Sequence, residues 1–454
     1  MPTALSRRHL VLLALITALG LLLRLWALQG SVVEDPVRGD ATAYFSYAVN
    51  LQTEGVYSRA TPEILGGAPV RADAAVPPVF PLFVTAFLGE DWRAGTMAGV
   101  YASIGPVLLA QALLGALLAP LLFFTGRGLL GTPLALAVAG LAAVSPHLVN
   151  INIYLLTEPV FTLLFWIALC LLAQATTPNA RPWWALAAGA ALAAAALTRP
   201  TVQYLPLVLV AFLVWRDPAR WRRWTGLLAV FVALLAAWGL RNLAVTGSFG
   251  DPTAMAPTLQ HGSYPGFMFN GIPESRGIPY RFDTALNTSM PVGETIAIIL
   301  QRMQAAPGEY LHWYLLGKPL ALFHWEILPI GVSDARLLTG GDIYIYPTPA
   351  SPYAGNPLFI LTYLLSYLLH RPLLVLAAVG TVLAWLPAGR AWFGEGVALA
   401  RLLALAFLYS IGIHMLGAPF PRYAIPFLPL AWLLAGGLLA AFWRRRRSGV
   451  TAAA

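Results

Sequence analysis

Ten apolar stretches, each close to the roughly 20 residues that a helix needs to cross a bilayer, divide this chain of 454 residues. They run at about 8–28, 100–124, 132–149, 154–175, 184–198, 200–216, 226–246, 372–388, 400–417 and 421–443. Few folds are open to such a pattern. In hydrocarbon every backbone N–H and C=O must find a partner within the protein, so spans of this length are helices. The chain is 59% hydrophobic and 10% charged, against about 25% charged in soluble domains. The expected fold is therefore all-α and polytopic.

Arginine orients the bundle. Arg7, Arg8, Arg127, Arg181, Arg216, Arg220, Arg222, Arg223, Arg390, Arg401 and the tail Arg444 to Arg447 fall in short loops or at the ends. The positive-inside rule makes these cytoplasmic, and both termini then lie inside. Of the 19 acids, all but Glu158, Asp217 and Glu395 lie in two longer regions, residues 29–99 and 247–371. Those regions form the exterior mass of what reads as one integral-membrane domain, 1–454. Three apolar stretches within them, 76–89, 309–327 and 357–372, are expected to lie on or dip into the outer surface. If the last two span, the count is twelve and the parity is unchanged. Arg7 and Arg8 before Leu10 would suit a signal peptide, but Arg24 interrupts the run and no small-x-small site follows. An uncleaved first span is expected.

The net charge of +9 is explained by those loops. No basic patch is interleaved with aromatic residues, so nucleic acid is excluded as a partner. The single cysteine, Cys170, lies in an apolar run and is expected to be a small buried hydrophobe. The halves of the chain show no convincing match, which argues against a repeat-built transporter.

Several charged residues stand where chemistry could use them. Asp40 opens "DATAYFSYAVNLQT", in which Tyr44, Tyr47, Ala48 and Leu51 recur at helical spacing. That pattern is an interfacial helix. Asp40 occupies the N-cap position, so it either accepts first-turn N–H groups or takes a proton from an acceptor hydroxyl at the membrane surface. Glu158 in "LLTEPVF" lies at the outer end of a span, either capping the helix that Pro159 starts or facing a cavity. Arg199, Arg241 and Arg422, the last followed by Tyr423, lie at outer span ends. Arginine there either snorkels or holds phosphate. Lys318, the sole lysine, lies in apolar exterior sequence.

The ordered set of "RGDATAYFSYAVNLQTEGVY", "VPPVFPLFVTAFLG", "AAVSPHLVNINIYLLTEPVFTLLFWIAL", "AALTRPTVQYLPLVL", "RNLAVTGSF" and "RYAIPFLPLAWLLAGG" resembles the GT-C glycosyltransferases. The resemblance is to the branch of protein O-mannosyltransferases and aminoarabinose lipid A transferases. Two positions depart from it. Ala41 follows Asp40 where many relatives have a second acid, and Val76 stands where lipid A relatives carry lysine. The resemblance implies a GT-C-like bundle of about 10–12 transmembrane helices with exterior surface helices in its two large loops. It implies an inverting glycosyltransferase that moves a sugar from a polyprenyl-phosphate donor to an acceptor hydroxyl on a glycan, lipid or protein. Asp40 would be the catalytic base and Glu158 a supporting acid. Tyr44, Arg199, Arg241, Lys318, Arg422 and Tyr423 would bind substrate, with the four cations converging on one pocket. No cofactor is implied, although a divalent cation near the first-loop acid is known in the branch. A lipid-linked glycan ligase or polymerase, and a flippase without a catalytic base, are the alternatives. A bacterial inner membrane is the expected location, with the site facing the exterior.

Overall fold

The computed structural model describes residues 5–31, 33, 35–60, 69–250, 255–287, 290–325 and 356–451, the last five as backbone. The expected exterior segment 326–355, with the end of the 309–327 stretch, lies outside the described residues. Among the described residues the regular structure is helical throughout. Seven helices among the described residues are long and apolar enough to span a membrane, and the bent pair Thr132–Val144 and Pro146–Ile153 is an eighth if it is counted as one span. Two shorter apolar helices, Trp183–Ala196 and Pro200–Arg216, bring the apolar segments to the ten expected.

Local sequence explains the boundaries. Helix α1 (Arg7–Gly30) starts where the Ser6 side chain accepts from the His9 N–H. Thr96 does the same for α2 (Met97–Ala116) by accepting from Gly99, and with its continuation this span covers 34 residues. Ser145 and Pro146 break the third apolar stretch with a bend of 52°, because proline cannot continue the ladder. The largest difference from expectation is at 357–388. A surface helix and a separate span were expected there, yet one helix, Pro357–Trp385, runs through Pro372. A proline inside a membrane helix forfeits one hydrogen bond, which neighbouring groups offset.

The last helix, Pro421–Arg446, is the axis of the bundle: 89% of its apolar window is buried, against 17% for Pro218–Thr246 at the lipid-facing periphery. Beside the axis stands α3 (Glu158–Ala175), whose Phe161 and Phe165 rings pack on Phe427. Trp166 Nε1 donates to the Pro426 carbonyl at 3.0 Å. In lipid these contacts act through close packing and hydrogen bonding, since leaving water supplies no drive between helices. The alanine-rich α4 (Trp183–Ala196) fits between α3 and α5 (Trp221–Thr246). A Cβ on Gly189 would lie 2.3 Å from the Leu227 carbonyl oxygen, so the backbones touch there.

The arginine loops gather away from Asp40 and Glu158. Arg223 donates to the carbonyls of Ala175 and Ala180 at 2.9 and 2.6 Å. Arg401 donates to Ala384 at 2.8 Å. At the other end of the bundle, α6 (Asp40–Thr53) packs on α7 (Val79–Phe87). Asn50 Nδ2 donates to Ser58 and Ala60 carbonyls at 2.7 and 2.6 Å, and the Tyr47 hydroxyl donates to Asp73. The Val79 N–H reaches the Leu197 carbonyl at 3.1 Å, which ties this surface layer to the end of α4. Within the region 247–371, Asp283 accepts two bonds from Arg302 at 2.7 and 3.0 Å and one from the Tyr264 hydroxyl at 2.6 Å. Burial raises the Asp283 pKa, but these bonds outweigh it and hold the carboxyl below its usual range.

The close approach at Gly189 is testable. Gly189→Leu is expected to cost about 1–3 kcal/mol through overpacking, whereas a Cβ at Gly140 meets nothing within 4 Å. Thermal unfolding in detergent should show a lowered Tm for the first and not for Gly140→Ala; equal Tm values would contradict the packing.

Candidate active site

Six of the eight expected site residues meet at the Asp40 end of the bundle. Each arrives by a local feature of the chain. Arg199 precedes Pro200, and the residue before proline is driven to extended backbone; its φ and ψ are −143° and 122°. The chain therefore leaves α4 and turns the guanidinium inward. Glu158 is the first residue of α3, followed by Pro159. Arg422 and Tyr423 lie on Pro421–Ala424, the first turn of the axial helix.

Asp40 differs from expectation in one respect. The N-cap of α6 is Gly39, with φ of 55°, and no side chain caps the helix. Asp40 stands one residue later, and its Oδ2 accepts from Arg422 Nη2 at 2.9 Å. The capping reading is corrected: the left-handed turn at Gly39, which suits glycine, starts the helix and leaves the carboxylate for Arg422.

Arg422 has a second carboxylate. Its Nε lies 3.1 Å from Glu158 Oε1. Arg199 Nη1 lies 2.5 Å from the same oxygen and 3.3 Å from the Thr157 hydroxyl. Glu158 is 1% exposed, whereas Asp40 keeps 55% of its side-chain surface. The cluster thus has a closed side and an open side. Tyr423 lies under both guanidinium groups, 4.7 Å from Arg199 and 5.3 Å from Arg422. The Tyr44 ring meets Phe80 edge-on at 4.8 Å, beside the same charges.

The electrostatics follow. Protein crowding around Asp40 raises its carboxyl pKa, but Arg422, with help from Arg199, outweighs this and holds it below the usual range. Asp40 is an anion here, with its basicity damped by Arg422. Burial and then the Asp40 charge push the Tyr44 phenol upward, so Tyr44 is a neutral hydrogen-bond donor. Formally the cluster balances two cations against two anions.

Arg241 and Lys318 do not join, and the expected convergence of four cations is corrected to two. Arg241 Nη1 donates to the Asp73 carbonyl at 2.7 Å, and its guanidinium lies about 5 Å from the Tyr57 and Trp238 rings. Lys318 is fully buried. Its Nζ donates to the carbonyls of Met415 and Gly417 at 2.6 and 3.0 Å and lies 3.7 Å from the Tyr314 ring centre. Burial draws its pKa down to about 7. Each cation is satisfied by carbonyls and aromatic faces near its own helix end. One residue missed from sequence is Thr157, whose hydroxyl lies between Arg199 and Glu158; a polar residue just before an acid at a span end was the available signal.

Among the described residues, the protein side chains around Asp40 do not by themselves form a cation site, which takes several oxygen donors. The carboxylate nearby, Glu158, is held by both arginines, and among the described residues no three His, Cys, Asp or Glu side chains could hold a metal.

Residues 91–239 match the family described as dolichyl-phosphate-mannose-protein mannosyltransferase. That stretch contains Glu158 and Arg199 but neither Asp40 nor Arg422. No curated protein matches the chain. Among solved structures, the oligosaccharyltransferase of Archaeoglobus fulgidus, tethered with an acceptor peptide, is similar in fold, with a TM-score of 0.50 and 14% identity over 97% of this chain and 50% of that one. ArnT from Cupriavidus metallidurans, bound to undecaprenyl phosphate, gives a TM-score of 0.41 and 16% identity over 94% of this chain and 76% of that one. The S. cerevisiae protein O-mannosyltransferase complex, bound to its sugar donor, gives 0.40 and 19% over 52% of this chain and 34% of that one. The chain thus spans about a third and a half of the yeast and archaeal chains.

Arg199 and Glu158 should be energetically coupled. Arg199→Met is expected to destabilise the protein strongly, because it leaves a buried carboxylate with one partner fewer. In a Glu158→Gln background the same change should cost about 1–3 kcal/mol less. Unfolding in detergent of the four proteins measures this; additive losses would mean that the contact carries no coupling.

Proposed function

We propose that this chain is a glycosyltransferase of the GT-C kind that moves one sugar from a polyprenyl-phosphate donor to an acceptor hydroxyl at the exterior face of a bacterial inner membrane; the family match over residues 91–239 supports the reading. The observation that carries the reading is Arg422 bridging Asp40 and Glu158 at the open end of the bundle. A carboxylate that could accept a proton and two guanidinium groups that could hold a phosphate share one small site. The surface helix α6 holds the carboxylate where a lipid phosphate would lie.

The chemistry follows from those groups. The donor phosphate engages Arg422 and Arg199, which suit phosphate by their planar donor pairs. As the bond between the anomeric carbon and the phosphate oxygen breaks, the electron pair leaves with the phosphate, and the guanidinium groups stabilise the developing charge. The acceptor oxygen bonds to the opposite face of that carbon, so its configuration inverts. Its proton passes to Asp40. Arg422 links the two events. When it turns to the phosphate, the interaction that damps Asp40 weakens and the carboxylate becomes a better base. Glu158, held by Arg199 on the closed side, keeps the arginines in place.

Replacing Asp40 by Asn retains size and removes the capacity to take a proton. Helix α6 does not use this side chain as its cap, so the variant should fold. Transfer of a radiolabelled sugar from polyprenyl phosphate should fall by about a hundredfold or more, with donor binding retained. An active Asp40→Asn protein would refute the assignment. Product analysis separates a single-sugar transferase from a ligase or polymerase, which would deliver a chain, and from a flippase, which would deliver none.

The orientation is tested separately. With Cys170 replaced, single cysteines within residues 29–99 should react with an impermeant thiol reagent from outside cells. A cysteine beside Arg444 should react only after the membrane is opened. Outside labelling of the tail would reverse the orientation.

A further inference from the structure

Lys318 and Gly262 stand apart from the charged cluster, yet both press on the connector that delivers Arg422. The helix Val397–Leu416 ends at a bend, and residues 417–420 carry the chain to the turn Pro421–Ala424. The last carbonyls of a helix have no partner within it. Here Lys318 supplies two donors, to Met415 at 2.6 Å and Gly417 at 3.0 Å. Gly262 also backs onto the connector, so closely that a Cβ would lie 2.0 Å from the Gly417 oxygen. Gly262 is itself fixed, because its carbonyl accepts from Trp313 Nε1 at 2.9 Å. Phe267 stacks on Phe420 at 5.0 Å, and Phe420 meets Tyr423 edge-on at 5.4 Å. These contacts come from segments that the chain places in its second exterior region.

We propose that Lys318 and Gly262 form a clamp on the 417–420 connector, and that this clamp positions Arg422 for the lipid phosphate without touching the substrate. The inference rests on the reading of Arg422 as a phosphate ligand. It assigns the sole lysine to a positioning role, and a direct phosphate contact by Lys318 is its rival. Two features separate them. Lys318 Nζ is enclosed by two carbonyls and the Tyr314 ring. Gly262 has no side chain with which to bind anything, so any effect of changing it on phosphate affinity must travel through the backbone it touches.

The test is a pair of double-mutant cycles on the full-length protein, read as affinity for polyprenyl phosphate and as KM and kcat for sugar transfer. Lys318→Met keeps the apolar stem and removes the donors; Gly262→Ala keeps the lysine and displaces the connector. Each should weaken polyprenyl-phosphate binding by roughly tenfold and raise KM for the donor. In an Arg422→Gln background neither should weaken it further, because the clamp acts through Arg422. Loss in Lys318→Met alone, with Gly262→Ala unchanged, would identify a direct phosphate contact and overturn the proposal. So would additive losses in the Arg422→Gln background, or wild-type affinity in both variants. A wild-type protein that binds the lipid phosphate but transfers no sugar would instead overturn the proposed reaction and leave the clamp standing.

Discussion

Arg422 lies between two carboxylates, one exposed and one buried, and the geometry of the open end depends on that placement. Asp40 is 382 residues away in sequence. Taking a carboxylate such as Glu158 out of water costs several kcal/mol even after relaxation, and a single guanidinium contact is a modest return at the effective dielectric of such sites. Two guanidinium groups on the same oxygen, with Thr157 beside them, make the buried charge tolerable. The buried pair is therefore a fixed anchor for Arg199 and Arg422. The exposed pair with Asp40 is the contact that an incoming anion can replace at least cost.

The bundle supplies the rigidity this needs. Its axial helix is the one that carries Arg422 at its start, and its neighbour carries Glu158 at its start. Packing of Phe161, Phe165 and Trp166 against Phe427 and Pro426 sets the register between the two helix starts. An error of one residue would move Arg422 by about 1.5 Å along the axis, enough to lose one of its carboxylates. The segments between the long helices then act on the helix ends. Val79 binds the Leu197 carbonyl near Arg199, and Lys318 binds carbonyls where the connector begins.

Much of this was legible in the sequence. Apolar length and arginine placement marked the helices, because bilayer thickness and backbone satisfaction leave little choice. The loss of a boundary at Pro372 was not legible, since proline breaks helices in water more readily than in a bundle. Asp40, Tyr44, Glu158, Arg199, Arg422 and Tyr423 were each marked by charge or ring at a span end or on the helix after the first span, and the structure brings them together. Arg241 and Lys318 carried the same mark. What separates them is the local supply of carbonyls and aromatic faces, from Asp73, Tyr57 and Trp238 in one case and from Met415, Gly417 and Tyr314 in the other. The carbonyls in that supply lie 97 to 168 residues away in sequence, so only the tertiary fold brings them in. The cap at Gly39 in place of Asp40 is a one-residue shift, set by a left-handed turn that the acid would have entered only with strain.

The central claim is that a lipid phosphate takes Arg422 from Asp40. A cryo-EM structure of the protein with polyprenyl phosphate bound tests it most directly. Phosphate oxygens are expected within hydrogen-bond distance of Arg422, with the 2.9 Å contact between Arg422 and Asp40 broken or lengthened and Glu158 still held by Arg199. A phosphate bound elsewhere, with the Asp40–Arg422 pair intact, would contradict it.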